Sequence, residues 1–278
     1  MGRQVQTTIN YFDDPGVPLV PMIIGGPTPG KPQPKVAIPT TITDVTGRED
    51  EFSLDVQGFR YVKHESEVMN WDDDEEIKRV NYPEMEKLCW KVLSETANLP
   101  KPSEIHILTH IIRRGPKDGE GPKGPAPLYG VHVDQSFNAA EGVAQRWLGD
   151  RAEELLKKRY QIINMWRPIR PITRDPFSVS DARSIPDSDL VFVPVRFPDH
   201  DTEAVEVRPP TDSPHKWYFK DQQQTDDVLF FKQVDSSTKP GVPRRVPHCA
   251  FKDPEAPEGS GEPRVSIEVR AFVFYDEE

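Results

Sequence analysis

The chain has 278 residues, of which 35% are hydrophobic and 29% charged, so it can form one large domain or two small ones. Its formal net charge of −11 disfavours a nucleic acid as partner, and its two cysteines cannot build a disulfide framework. The sequence contains no signal-like N-terminus and no apolar run of roughly eighteen residues. We therefore expect a cytoplasmic protein that binds neither nucleic acid nor membrane.

The first third of the chain predicts an arm, short strands and two helices. Residues 1–35 are rich in proline and glycine and are predicted to be an irregular arm, followed by a single domain over residues 36–278. Alternating apolar residues predict short strands at 36–38, 40–45 and 52–62. An acidic run over 71–77 and the pair Tyr82-Pro83 each favour the first turn of a helix, and both helices are predicted to support a sheet.

The rest of the chain is dominated by strand patterns. Residues 115–127 form a loop rich in glycine and proline, which suits an entrance or a lid, and residues 139–158 predict a helix. Residues 177–186 are predicted to be a loop. Strands are predicted at 104–113, 160–169, 190–193, 217–219, 228–234 and 265–275. Thirty prolines also disfavour a helical bundle. The expected fold is mainly β with flanking helices, a sandwich or barrel-like core.

A short extended segment, Val131-His132-Val133-Asp134, carries the first chemical signal. Residues two apart in a strand point to the same side, so the His132 imidazole and the Asp134 carboxylate project together. A neutral imidazole and a carboxylate are two of the three ligands of the facial triad that binds non-haem Fe(II). His106 and His110 lie four residues apart, about 13 Å along a strand, so they cannot both bind one metal ion and are interpreted as structural.

His248 is the candidate third ligand. It follows the predicted strand 228–234 and the turn that starts at Lys239-Pro240-Gly241. A double-stranded β-helix would bring this segment beside that of His132 and Asp134, and three ligands on one side would leave three open positions on iron. Cys249, the next residue, should point away from His248 in an extended segment, so we expect it to pack in the core.

The last predicted strand carries a polar face. Arg264, Ser266, Glu268 and Arg270 alternate with valine and isoleucine. An arginine fork with a hydroxyl two residues away suits the distal carboxylate of a dicarboxylic acid. The pattern leaves open whether Arg264 or Arg270 grips that carboxylate, since Arg270 could also pair with Glu268 or brace the iron-bound end.

The order H-x-D, distal His and R-x-S resembles the Fe(II)/2-oxoglutarate-dependent dioxygenase superfamily. The segments 131–136, 164–169, 227–232, 247–251 and 266–271 resemble the family of fungal gibberellin desaturase, the hydroxylase/desaturase AsaB and the CmcJ component of cephalosporin methoxylation. The resemblance covers about residues 52–271. It implies a double-stranded β-helix (jelly-roll, cupin-like) core. The implied set is Fe(II) on His132, Asp134 and His248, with 2-oxoglutarate on Arg264, Ser266 and Arg270 and dioxygen as the second co-substrate.

The implied activity is tailoring of a small-molecule secondary metabolite or amino-acid-derived substrate by hydroxylation, desaturation or oxidative cyclisation. Candidate substrate contacts are Asn164, Trp166, Arg167 and Arg170. Strand phase puts Asn164 and Trp166 on one face and Arg167 on the other, so not all can line one pocket. Two alternatives remain: an iron-dependent oxidase or cyclase that does not use 2-oxoglutarate, and a non-catalytic binding protein. The sequence does not indicate the substrate, the reaction outcome or the oligomeric state.

Overall fold

The computed structural model describes residues 2–24, 33–256 and 261–277. Its strands are β1 (Gln4–Phe12), β2 (Met22–Ile23), β3 (Lys35–Asp44), β4 (Phe59–Lys63), β5 (Glu104–Arg114), β6 (His132–Val133), β7 (Arg159–Pro168), β8 (Phe177–Ser180), β9 (Leu190–Arg196), β10 (Asp201–Val207), β11 (Trp217–Phe219), β12 (Asp227–Asp235), β13 (His248–Ala250) and β14 (Val265–Tyr275). Its α-helices are α1 (Asp74–Glu76), α2 (Tyr82–Ser94), α3 (Phe137–Leu148) and α4 (Ala152–Leu155).

The strands form two sheets. The smaller sheet has the order β4-β12-β7-β14-β5, and all its neighbours are antiparallel. The larger has the order β1-β3-β11-β8-β13-β6-β10-β9-β2, in which β3 pairs with β11 and β2 pairs with β9 in parallel. Aromatic and aliphatic side chains fill the space between the sheets. Trp166 and Phe231 of the five-stranded sheet pack there against Phe177 and Val179 of β8. The mainly β fold is therefore confirmed.

The helices support the five-stranded sheet. A π-helical segment, Ile77–Asn81, joins α1 to α2, so the two predicted helices form one continuous helical run. Apolar residues of α2 at helical spacing, including Met85, Leu88 and Val92, are buried against that sheet. Within the described parts of the chain, no helix is both long and apolar enough to cross a bilayer.

The local predictions for the arm and for residues 177–186 were wrong. The arm is not irregular throughout, because β1 pairs with β3 over nine residues and buries Val5, Ile9 and Phe12. The segment predicted as a loop begins with β8, which is too short to show a two-residue pattern and has all four residues buried. Residues 25–32 of the arm lie outside the described residues, and the single domain over 36–278 stays a prediction.

Candidate metal and co-substrate site

The two candidate histidines lie side by side. β6 and β13 are antiparallel neighbours in the nine-stranded sheet, and His132 and His248 are direct cross-strand partners with ring centroids 4.4 Å apart. Asp134 lies one residue beyond β6. One ligand atom from each of the three residues lies within 4.8 Å of the others. The structure thus brings together the three residues that the sequence analysis selected as metal ligands.

Hydrogen bonds fix which nitrogen of each imidazole faces the centre. Nδ1 of His132 lies 2.8 Å from the carbonyl oxygen of Gly130, and Nδ1 of His248 lies 3.0 Å from that of Val246. A carbonyl accepts only, so each Nδ1 carries the proton and each Nε2 presents a lone pair. The Nε2 atoms lie 3.4 Å and 3.8 Å from Oδ1 of Asp134. Three electron-pair donors converging without a donor proton suit a divalent cation.

Asp134 is held from the opposite sheet. Its Oδ2 accepts hydrogen bonds from Nδ2 of Asn164 at 2.9 Å and from Nη2 of Arg270 at 2.8 Å. Its main-chain N–H donates to Oε1 of Gln233 at 2.9 Å. Burial raises the pKa of Asp134, but the positive charge of Arg270 opposes burial, and this pKa lies well below its usual range. The carboxylate is therefore ionised and available to a cation.

The space beside the triad is a narrow pocket between the two sheets. Its lining residues are Arg113, Leu128, His132, Asp134, Trp166, Phe177, His248, Arg264 and Glu268. Leu128, which is 44% exposed, marks the side on which this pocket approaches solvent.

Arg264 and Ser266 carry unused hydrogen-bonding capacity. Arg264 is 2% exposed, and its Nη1 donates to the carbonyl oxygen of Asp175 at 2.8 Å. Nε of Arg264 and Oγ of Ser266 are buried without a hydrogen-bond partner in the described residues. The Arg264 guanidinium lies 5.6 Å and 5.7 Å from the ring centroids of Trp166 and Phe177, which stack on each other. Buried polar atoms normally have hydrogen-bond partners, so Nε of Arg264 and Oγ of Ser266 suit an anionic ligand with two oxygens.

Burial lowers the pKa of Arg264 to about 10, which still leaves the guanidinium charged at neutral pH. The structure therefore holds a buried cation in the pocket that the metal-ligand triad also lines. A dicarboxylate could bind a metal ion through one carboxylate and the buried guanidinium of Arg264 through the other, which would pair both buried charges.

Two candidate substrate contacts lie elsewhere. Strand alternation turns Arg167 to the opposite face of β7 from Trp166, where it donates to the carbonyl oxygens of Thr225 at 3.0 Å and His64 at 3.1 Å. Arg170 follows the strand and is exposed. The structure therefore does not bring Arg167 or Arg170 into the pocket. Trp166 does line it, and Asn164 contacts Asp134 instead.

Three pocket residues, Arg113, Leu128 and Phe177, were not predicted from the sequence. Arg113 on β5 is the cross-strand partner of Ser266, and its Nη1 donates to the carbonyl oxygen of Ala126 in the glycine- and proline-rich loop. Arg113 could be predicted as a pocket residue only from the pairing of β5 with β14, and the local sequence pattern does not predict that pairing.

The chain is similar to known oxidoreductases. A family model described as an oxidoreductase/YMDC permease-like domain matches residues 9–274. The hydroxylase/desaturase CTB9 of Cercospora beticola is 34% identical over 92% of this chain and 82% of its own length. The alpha-ketoglutarate-dependent dioxygenase phiK of a fungal species is 31% identical over 82% of this chain and 81% of its own length.

The fold is also similar to that of a solved structure. The iron and alpha-ketoglutarate-dependent endoperoxidase NvfI superposes with a TM-score of 0.82 at 24% identity, over 98% of both chains. The jelly-roll, double-stranded β-helix core predicted from the sequence is thus confirmed. The chain belongs to the oxidoreductase/YMDC permease-like family, together with fungal hydroxylase/desaturases and Fe(II)/2-oxoglutarate-dependent dioxygenases.

Proposed function

We propose that this chain is a non-haem Fe(II)/2-oxoglutarate-dependent oxygenase that acts on a small molecule. The observation that carries the proposal is one pocket with two complementary ends. His132, Asp134 and His248 converge at the metal end, and Arg264 lines the same pocket. Nε of Arg264 and Oγ of Ser266, two residues along the chain, are buried without a hydrogen-bond partner in the described residues.

The metal end would bind Fe(II) through Nε2 of His132, Nε2 of His248 and Oδ1 of Asp134. These atoms face one another, and none of them carries a proton that would have to be displaced. Two imidazoles and one carboxylate form the donor set of Fe(II) oxygenases and leave open positions for further ligands. When bound, Fe(II) supplies the activation of dioxygen, and the protein supplies orientation and a site shielded from water.

The other end would hold the distal carboxylate of 2-oxoglutarate. Of the two arginines that the sequence left open, Arg264 suits this role better. Arg270 is already engaged with Asp134 and with Asn164. Nε of Arg264 and Oγ of Ser266, by contrast, have no hydrogen-bond partner among the residues that the structure describes. The proposed carboxylate site at Arg264 and Ser266 also favours the oxygenase over an iron oxidase that uses no 2-oxo acid. A buried guanidinium with no bound anion would be costly in a protein that never uses one.

The substrate would approach past Leu128, where the pocket is open. Next to this side a wider cleft of about 1060 Å³ is lined by parts of residues 116–129, 172–176 and 252–256. The first of these segments contains most of the loop that the sequence analysis assigned to an entrance or lid. Hydroxylation, desaturation and oxidative cyclisation all begin with the removal of a hydrogen atom from a substrate carbon, and the same pocket serves each of them.

The test is an anaerobic titration of the Fe(II)-loaded protein with 2-oxoglutarate. We expect a weak visible charge-transfer band in the wild type and its loss in His132→Ala. In Arg264→Ala the Kd for 2-oxoglutarate should rise roughly 10- to 150-fold, since a hydrogen bond to a charged group contributes about 1.5–3 kcal/mol.

Arg170→Ala is the matched control, because Arg170 is exposed outside the pocket, and its Kd should equal that of the wild type. After admission of oxygen, succinate should form in the wild type. A wild-type protein that binds Fe(II) but gives no band and no succinate would favour the oxidase alternative. A protein that binds no divalent metal at all would favour the non-catalytic one.

A further inference from the structure

The two carboxylate oxygens of Asp134 lie in different surroundings. Oδ1 faces the Nε2 atoms of His132 and His248, at 3.4 Å and 3.8 Å. Oδ2 points to the opposite sheet and accepts from both Asn164 and Arg270. A carboxylate can bind a metal ion through one oxygen or through both, so this asymmetry bears on the number of positions left open.

Asn164 and Arg270 form one unit. They are direct cross-strand partners on β7 and β14, and Nε of Arg270 donates to Oδ1 of Asn164 at 3.2 Å. This bond fixes the orientation of the amide, because its oxygen is used by Arg270 and its NH₂ group must then face Asp134. The three side chains close a ring of hydrogen bonds in which no group can rotate alone. Asn164 is fully buried, so water does not compete for these bonds.

The backbone of the five-stranded sheet is irregular at two places near this contact. The pairing of β14 with β5 shifts register immediately after Arg270. The pairing of β12 with β7 shifts between Lys232 and Val234, and Gln233 at that irregularity accepts the hydrogen bond from the Asp134 main chain. Bulges re-aim single side chains and are frequent next to active sites. Asp134 is thus held at its main chain and at Oδ2 from β7, β12 and β14.

We propose that Asn164 and Arg270 are positioning residues that occupy Oδ2 and restrict Asp134 to one metal-binding oxygen, Oδ1. This inference rests on the proposed function. The restriction would keep three positions open for a bidentate 2-oxo acid and dioxygen. Loss of either donor would free Oδ2 to turn toward the metal or would let the whole carboxylate rotate away from it.

The test compares Asn164→Ala, Arg270→Gln and Arg270→Lys with the wild type, using anaerobic Fe(II) affinity and the visible band of the 2-oxoglutarate complex. Outer partners of metal ligands typically contribute 10- to 100-fold to metal affinity. We expect a loss of about that size in Asn164→Ala and Arg270→Gln, together with a shift in the energy of the band. Arg270→Lys should recover part of the affinity, because it keeps a cation beside Oδ2.

Asn81→Ala is the matched control. Asn81 is also fully buried and hydrogen-bonded, to Ser66 and Glu84, but it is not among the residues that line the pocket. If Asn81→Ala weakens Fe(II) binding as much as Asn164→Ala, or if the folded Asn164 and Arg270 variants keep wild-type affinity and band, the inference is wrong. If Asn164→Ala does not fold, the two Arg270 variants decide. Failure of the wild type itself to bind Fe(II) would instead overturn the proposed function.

Discussion

Glu268 is the second carboxylate in the pocket, and its surroundings differ from those of Asp134. It is buried between Ser266 and Arg270 along β14, with an oxygen 3.5 Å from Nη2 of Arg270. Burial and the negative charge of Asp134 raise the pKa of Glu268 to about 7, against the opposing charges of Arg270 and Arg113. Near neutral pH this carboxyl group is thus partly protonated, beside the proposed binding site of the 2-oxoglutarate dianion.

This raised pKa predicts a pH-dependent difference between wild type and Glu268→Gln. The folded state favours the protonated acid, so its contribution to stability is full below the ordinary pKa of 4.5 and is lost as the pH rises through about 7. We expect Glu268→Gln to gain stability relative to the wild type between about pH 5 and about pH 8. Urea unfolding of both metal-free proteins at the two pH values measures this. Parallel pH profiles would show that Glu268 titrates as an ordinary exposed acid.

Contacts within one strand of the site could be predicted from the sequence, and contacts between the sheets could not. The two-residue strand period is enough to place His132 beside Asp134 and Arg264 beside Ser266, because each pair lies on one strand or its extension. The contact of Asp134 with Asn164 runs between sheets, and no local period reports such a contact. Asn164 was accordingly predicted to contact the substrate.

At the scale of elements, the long strands β5, β7, β12 and β14 were predicted to within one residue at each end, whereas the short strand β8 was predicted as a loop. The predicted strand 228–234 appears as β12, one residue longer at each end. By contrast, residues 52–62 predict a strand of which only the end is formed, as β4. The earlier part folds into a turn that ends at Gly58, which has a φ of +90°. Such turns depend on the packing around them more than on the pattern of apolar residues.

Gly58 gives a prediction at this scale. A Cβ on Gly58 would lie 2.6 Å from Cγ2 of Val246 and 3.3 Å from Cβ of Pro243, in a backbone conformation that L residues rarely adopt. We expect Gly58→Ala to lower the free energy of unfolding by about 1–3 kcal/mol. Gly142→Ala is the control, since Gly142 lies on the exposed side of α3 with nothing within 4 Å, and it should stabilise by about 0.5–1 kcal/mol. Equal changes in chemical denaturation for both variants would contradict this account.

At the scale of the whole molecule, the proposed active site depends on how the two sheets face each other. β6 and β13 of the nine-stranded sheet carry the histidines, whereas β14 of the five-stranded sheet carries Ser266 and Arg270. The order of strands in these sheets joins segments more than a hundred residues apart, as where β6 pairs with β13. A resemblance to a family implies that topology, but composition and periodicity do not, because they report only local preferences.

The most direct test of the account is a crystal structure of the anaerobic complex with Fe(II) and 2-oxoglutarate, with the iron located by anomalous scattering. We predict one iron position bound by Nε2 of His132, Nε2 of His248 and Oδ1 of Asp134, and the distal carboxylate of 2-oxoglutarate on Arg264 and Ser266. Oδ2 of Asp134 should stay on Asn164 and Arg270. Iron bound by other residues, or a distal carboxylate on Arg270 in place of Arg264, would contradict the account.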